Sequence, residues 1–150
     1  MKAFISALIL MVLTLGASAV QANHDHSSTT HLKFANGTVH AHMTWVIGPI
    51  VSNESALRIE WMSGVTHSAA EPPGDFKVVL WMPGMGHGSS PTKIQQAHDE
   101  SGQPLVGVYD VTEIYFIMGG KWDVNLSLEL PDGTVETQTV QVQIGSKHQH

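Results

Sequence analysis

Residues 121–130 read KWDVNLSLEL. From Trp122 to Leu130 every second side chain is apolar, and each side chain between them is polar or charged. Successive side chains of a β-strand point to opposite faces, so this alternation predicts a strand that buries one face and exposes the other. Pro131-Asp132-Gly133 follows directly and predicts a hairpin turn.

The same alternation recurs along most of the chain. Further strands are predicted over 38–47, 57–62, 76–82, 92–97, 105–117 and 140–144. The pattern breaks at Thr112-Glu113, which predicts a β-bulge in the fifth strand. About seven short strands without a helical period indicate one domain with an all-β fold, an immunoglobulin-like antiparallel β-sandwich.

The N-terminus has the features of an export signal. Lys2 precedes an apolar run from Phe4 to Leu15, and small residues follow up to Ala22. This pattern predicts a signal peptide over 1–22, cleaved after Ala22 or, as the alternative, after Ala19. The run is shorter than the roughly 20 residues that span a bilayer, which disfavours a membrane anchor. We therefore expect a periplasmic protein with no stable membrane insertion after cleavage.

The flanks of the predicted sandwich are polar. Residues 23–37 predict a mobile leader that carries His24, His26 and His31. The sandwich is predicted over 38–145, and 146–150 form a short tail. No internal linker or repeat divides the chain.

Composition narrows the function classes. The chain has 150 residues, a formal net charge of −6, 10 histidines and no cysteine. Net negative charge argues against a nucleic-acid partner and against docking on anionic lipid. Without cysteine there is no disulfide and no thiolate ligand, so an exported protein that binds a soft metal must use methionine and histidine.

Residues 81–88 read WMPGMGHG and place Met82, Met85 and His87 at the end of a predicted strand. If consecutive strands alternate in direction, the connection after residue 82 and the one after residue 117 lie at the same end of the sandwich. Met118 would then join the first three side chains, and glycines would let the two loops approach closely. Thioethers favour Cu(I) over Cu(II) and Zn(II), so the sequence predicts a Cu(I) site at this end.

Other interpretations stay open for these residues. Met82 and Met118 also suit ordinary core positions, and Trp81 or Trp122 could shield a bound ion. His40 and His42 lie two apart on one strand face and could bind Zn(II) or Cu(II) in a second site with His24 or His26. No arrangement of nucleophile, base and orienting acid is present, so we do not expect an enzyme.

Two separated motifs carry a family resemblance. They are Met82-Pro83-x-Met85-x-His87-Gly88 with Pro91, and Gly107-x-Tyr109 followed by Phe116-x-Met118-x-Gly120-x-Trp122. In their order and spacing they resemble the FixH-like/YtkA-like group of exported bacterial β-sandwich domains, over Phe76 to Leu130. The resemblance implies an immunoglobulin-like sandwich, a role in copper handling, and Met82, Met85, His87 and Met118 as ligands. A cleavable signal departs from membrane-anchored FixH members and favours a free carrier.

The expected function is a periplasmic copper carrier or buffer. Its expected partners are the copper ion and a copper-exporting or copper-accepting membrane protein. Two alternatives come from other classes: a non-catalytic interaction module, and a Zn or Ni scavenger that uses the His-bearing tails.

Overall fold

Two antiparallel sheets pack face to face in the computed structural model, which describes residues 28–145. The strands are β1 (Thr30–Phe34), β2 (Val39–Ile47), β3 (Glu54–Ser63), β4 (Phe76–Met82), β5 (His87–Gly88), β6 (Lys93–His98), β7 (Pro104–Tyr115), β8 (Gly120–Glu129) and β9 (Val135–Ile144). A 3-10 turn, Ala35–Gly37, joins β1 to β2. The five-stranded sheet has the order β1-β2-β3-β7-β6, and the four-stranded sheet has the order β5-β4-β8-β9.

The alternating stretch that predicts a half-buried strand becomes β8, at the centre of the smaller sheet. Its inward side chains Trp122, Val124, Leu126 and Leu128 are fully buried, and they face the core together with Val78, Leu80 and Met82 of β4. The order β2-β3-β7-β6 opposite β4-β8-β9 matches the two sheets of a constant-type immunoglobulin domain. The predicted fold class is confirmed.

The sandwich has more strands than predicted. β5 is a two-residue strand that extends the smaller sheet beside β4. β1 lies inside the segment that the sequence assigns to a mobile leader, and it pairs along β2 from Thr30 opposite Met43 to Phe34 opposite Val39. Leu32 and Phe34 are buried in the core. The predicted boundary at residue 38 is therefore wrong, because the sandwich begins at Thr30.

The predicted bulge in β7 is confirmed. The register with β3 shifts between Ser55 and Leu57, which face Ile114 and Val111, so two residues of β7 oppose one of β3. Glu113 has a positive φ of 57° there, and its N–H donates to the Glu54 carboxylate over 2.8 Å. A bulge of this kind bends the strand locally and increases its twist.

The sandwich has two ends with different loops. We call the apical end the one formed by the connection 48–53, the turn 83–86 and the connection 116–119. The basal end carries the long loop 64–75 and the turn 99–103. Within residues 28–145 no helix is long and apolar enough to cross a membrane. The predicted signal peptide, His24, His26 and the tail 146–150 lie outside the described residues.

Candidate metal site at the apical end

Three connections meet at the apical end. Val51 forms a parallel bridge with Phe116, and the Ser52 N–H donates to the Phe116 carbonyl over 2.9 Å. On the other side, the Ser89 hydroxyl donates to the Tyr115 carbonyl over 2.7 Å. These bonds tie Tyr115 and Phe116, at the end of β7, to the connection 48–53 on one side and to Ser89, just after β5, on the other. The strand directions thus place residues 82–87 and Met118 at one end, as the alternation of strands predicts.

The turn after β4 is a tight hairpin. The N–H groups of Met85 and Gly86 both donate to the Met82 carbonyl, over 3.1 and 2.9 Å. Gly86 has a φ of +66°, a conformation that favours glycine. The hairpin makes Met82 and His87 direct cross-strand partners, so their side chains lie on the same face, which is the face that points into the sandwich.

Met82 reaches across to the start of β8. Its side chain is 8% exposed, and its Cε would lie 2.6 Å from a Cβ added at Gly120. Glycine at position 120 therefore leaves the space that the end of the Met82 thioether occupies. Met82 belongs to the buried core cluster, and Met118 packs against that cluster as a partly buried side chain. Both the core interpretation and the ligand interpretation are compatible with these positions.

Trp122 contacts two of the other predicted ligands, Met118 and His87. Its indole N–H donates to the Met118 carbonyl over 3.0 Å. The His87 ring stands edge-on to the indole, with the ring centroids 6.1 Å apart, and the Phe116 ring also packs edge-on against the indole at 5.5 Å. Trp122 is fully buried, whereas Trp81 is on the outward face of β4 and 41% exposed. Of the two tryptophans predicted as a possible shield, Trp122 is the one beside His87 and Met118.

His87 is half-buried, and one of its ring nitrogens is available to bind a metal ion. Its Nδ1 lies 3.3 Å from the Gly88 carbonyl oxygen. In the tautomer that protonates Nδ1, this nitrogen donates to the carbonyl and the lone pair of Nε2 is free for a metal ion. Such a backbone bond orients the ring, which is a common arrangement for metal-ligating histidines.

Met85 lies apart from the other predicted ligands. It occupies the tip of the hairpin turn, and its side chain is 59% exposed. The structure thus brings Met82, His87 and Met118 to the region around Trp122 and Gly120 and leaves Met85 at the rim. Periodicity gives no information on Met85, because the turn torsions that direct its side chain are set by Gly84 and Gly86.

The apical end is free of charged side chains over most of its surface. Residues 46–53, 83–92 and 116–120 contain no Asp, Glu, Lys or Arg. Val46, Ile47 and Ile117 are each more than half exposed there. Among the residues described, no three His, Cys, Asp or Glu side chains are grouped to hold a metal ion. A metal ion at this end would therefore depend on the thioethers.

The second predicted site is divided between two pairs of histidines. His40 and His42 both lie on the outward face of β2 and are half-buried. The ring of His42 contacts His31 of β1, with centroids 4.1 Å apart, and the ring of His40 faces His67 of the basal loop at 5.9 Å. His24 and His26, their predicted companions, lie outside the described residues. Sequence reasoning assigned His31 to a mobile leader and so missed its pairing with His42.

A carboxylate network at the basal end also has no signal in the sequence. Glu71 of the loop 64–75 accepts hydrogen bonds from the Tyr109 hydroxyl, the Gly107 N–H and the Gln96 amide, over 2.6, 2.9 and 2.9 Å. The bond from Tyr109, and then the one from Gly107, lower the pKa of the Glu71 carboxyl. Burial and the nearby Glu71 raise the pKa of Tyr109 to about 12. The network fastens the basal loop to β6 and β7.

Comparison with known proteins supports the fold. No protein-family model and no curated protein matches the chain. The fold is similar to the crystal structure of a DUF4426 family protein from Pseudomonas aeruginosa PAO1, with a TM-score of 0.55 and 10% sequence identity. The match covers 80% of this chain and 97% of that chain. At this identity the likeness shows a shared all-β fold and carries no information on function.

Proposed function

We propose that this protein is a periplasmic copper-binding protein that holds Cu(I) at the apical end and acts as a carrier or buffer. One observation supports the proposal most: the hairpin pairs Met82 with His87 across from Gly120, beside the connection that carries Met118. Two thioethers and one imidazole form a soft donor set, which suits the d10 Cu(I) ion. The predicted signal peptide supports export to a compartment where methionine replaces cysteine as the soft ligand.

The exposed position of Met85 favours exchange of the ion over permanent storage. A thioether at the rim can contact an incoming ion before the inner ligands do, or pass it to an acceptor. The uncharged surface around it suits contact with another uncharged surface, such as that of a copper-exporting or copper-accepting membrane protein. The motif resemblance to FixH-like/YtkA-like domains points to the same role, and we propose membership of that group on those motifs alone.

Imidazole ligation makes the proposed affinity depend on pH. A metal-bound imidazole must be deprotonated, so protons compete with Cu(I) at His87 while thioethers have no such competition. We expect the Cu(I) affinity to fall as the pH is lowered, and to keep a residual value from the methionines.

The test is a Cu(I) titration against a competing chelator, with absorption spectroscopy at the copper edge to identify sulfur ligands. Met82→Leu and Met118→Leu keep the volume and remove the sulfur. We expect each to weaken Cu(I) binding by about tenfold, equivalent to about 1.4 kcal/mol. Met43→Leu, a buried methionine of β2 in the same core, and Met62→Leu of β3 are the matched controls and should leave the affinity unchanged.

Two results would contradict the proposal. One is a Met82→Leu/Met118→Leu double variant that binds Cu(I) as tightly as the parent. The other is a spectrum of the loaded protein without sulfur scattering. In either case the uncharged apical surface would favour the alternative, a non-catalytic interaction module with methionines that serve only the core.

A further inference from the structure

The outward face of β1 and β2 carries imidazoles that the apical site does not use. His31 lies opposite His42 in the β1–β2 register, and His42 lies opposite Glu60 in the β2–β3 register. The three side chains therefore form one row across neighbouring strands, on the solvent side of the five-stranded sheet. Side chains directly opposite each other in antiparallel strands have Cβ atoms about 4.5–5.5 Å apart, close enough to bind one ion.

The two rings of this row are already in contact. Their centroids are 4.1 Å apart, with an angle of 60° between the ring planes. Nitrogen ligands bind Zn(II) at about 2.0–2.1 Å, so small rotations of two adjacent imidazoles bring one nitrogen of each to a common ion. His31 is exposed and His42 half-buried, which leaves the pair accessible from solvent.

The neighbouring pair on the same face is less suitable for a cation. The rings of His40 and His67 are 5.9 Å apart, and Lys33 lies directly opposite His40 in the β1–β2 register. An ammonium group beside His40 repels a divalent ion. A second cationic side chain, Arg58, lies on the other side of the row formed by His31, His42 and Glu60. Its Nε and Nη2 both donate to the Asp110 carboxylate.

We propose that His31 and His42 form a binding site for a borderline divalent cation of the Cu(II), Zn(II) or Ni(II) class, with the carboxylate of Glu60 adding negative charge beside it. This site is distinct from the apical Cu(I) site in its ligands, in its place on the sheet and in the ion that it prefers. Imidazole suits borderline ions, whereas the thioethers at the apical end suit Cu(I).

The coordination is incomplete within the domain. In the part of the chain that the structure describes, no group of three His, Cys, Asp or Glu side chains could enclose an ion. Two imidazoles therefore hold the cation, and water completes its coordination.

The test measures Cu(II) and Zn(II) binding to the full chain, with the histidines outside the described residues replaced. The background variant carries His24→Ala, His26→Ala, His148→Ala and His150→Ala, so these side chains do not contribute. In it we expect one Cu(II) to bind with a paramagnetic resonance spectrum typical of nitrogen ligands. His31→Ala or His42→Gln should weaken binding at least about tenfold. Zn(II) should shift the ring resonances of His31 and His42 together.

The controls separate this site from its neighbours. His40→Ala and His67→Ala should leave the Cu(II) affinity within about twofold, a change of roughly 0.4 kcal/mol. The Met82→Leu/Met118→Leu variant should bind Cu(II) like the parent, so failure of the apical proposal leaves this one intact. Unchanged binding in both His31→Ala and His42→Gln would overturn the proposal, as would an equal loss in His40→Ala. The melting temperature of each variant without metal checks that it is folded.

Discussion

The basal loop 64–75 with its neighbouring strands and the apical hairpin turn 83–86 use glycine and hydrogen bonding in opposite ways. At the basal end, Glu71 fastens its loop to two strands, and a Cβ on Gly64, Gly74 or Gly107 would overlap a backbone oxygen of a neighbouring segment. At the apical end, the hairpin turn is closed by backbone bonds to the Met82 carbonyl, and a Cβ on Gly84 or Gly86 would meet nothing within 4 Å. The basal loop 64–75 is packed closely against the sheets, whereas the apical hairpin turn has open space around its two glycines.

The largest expected effect of this contrast concerns Gly107. Its φ is +71°, and a Cβ there would lie 2.7 Å from the Trp61 carbonyl oxygen and still closer to that of Ala70. Two costs add in Gly107→Ala. Alanine is strained in the left-handed conformation by about 1–2 kcal/mol, and the clash of its Cβ with the carbonyl oxygens costs about 1–3 kcal/mol. We expect the free energy of unfolding to fall by about 4 kcal/mol in urea denaturation.

Gly107→Asn distinguishes the two contributions at this position. Asparagine tolerates positive φ better than alanine but brings the same Cβ. It should recover only the torsional part of the alanine loss and remain strongly destabilising, because the clash with the carbonyl oxygens remains. A Gly107→Ala protein with parental stability would show that the loop 64–75 is not packed closely against β7.

A smaller effect is expected from the Glu71 network, and it depends on pH. The pKa of the Glu71 carboxyl is lowered in the folded protein from its usual 4.5. The contribution of Glu71 to the free energy of unfolding is therefore fully present above pH 4.5 and is lost as the pH falls through the lowered pKa. The pKa of Tyr109 is raised from 10.0 to about 12, so its contribution is present below pH 10 and is lost as the pH rises towards 12.

Glu71→Gln tests the acid arm of this dependence. The side chain is exposed to solvent, so we expect a loss of only about 1.5 kcal/mol of unfolding free energy at neutral pH. The variant should also lose part of the acid-side dependence of the parent, measured by urea denaturation at a series of pH values. Glu129→Gln, an exposed glutamate at the end of β8, is the control. A parallel pH profile for Glu71→Gln and the parent would show that Glu71 does not fasten the basal loop.

The sequence predicted the parts of the molecule that rest on periodicity. The alternation from Trp122 to Leu128 placed the core face of β8, and the reversal of successive strands placed Met82, His87 and Met118 at one end. Strand β1 was missed because only Leu32 and Phe34 alternate in it, and a run so short becomes a strand only beside β2. Because β1 was missed, the start of the sandwich was predicted at residue 38 instead of Thr30.

Long-range register and turn torsions could not be predicted in the same way. The contact between His31 and His42 depends on the pairing of β1 with β2, and Glu71 meets Gly107 and Tyr109 only when the long loop folds back. The exposure of Met85 follows from torsions at a glycine turn. None of these features produces a periodic pattern in the sequence, because each depends on contacts or torsions that form only when the chain folds.

The smallest expected effect is at the apical glycine that matches Gly107 in backbone conformation. Gly86 has a φ of +66° but no neighbour for an added Cβ, so Gly86→Ala adds only the torsional cost, about 1 kcal/mol. Gly86→Asn should restore most of this loss, unlike Gly107→Asn, because no clash accompanies the torsion. Urea denaturation of the four variants measures both differences. If Gly86→Ala destabilises as much as Gly107→Ala, the hairpin is packed like the basal end, and rearrangement around a metal ion would require the core to move with it.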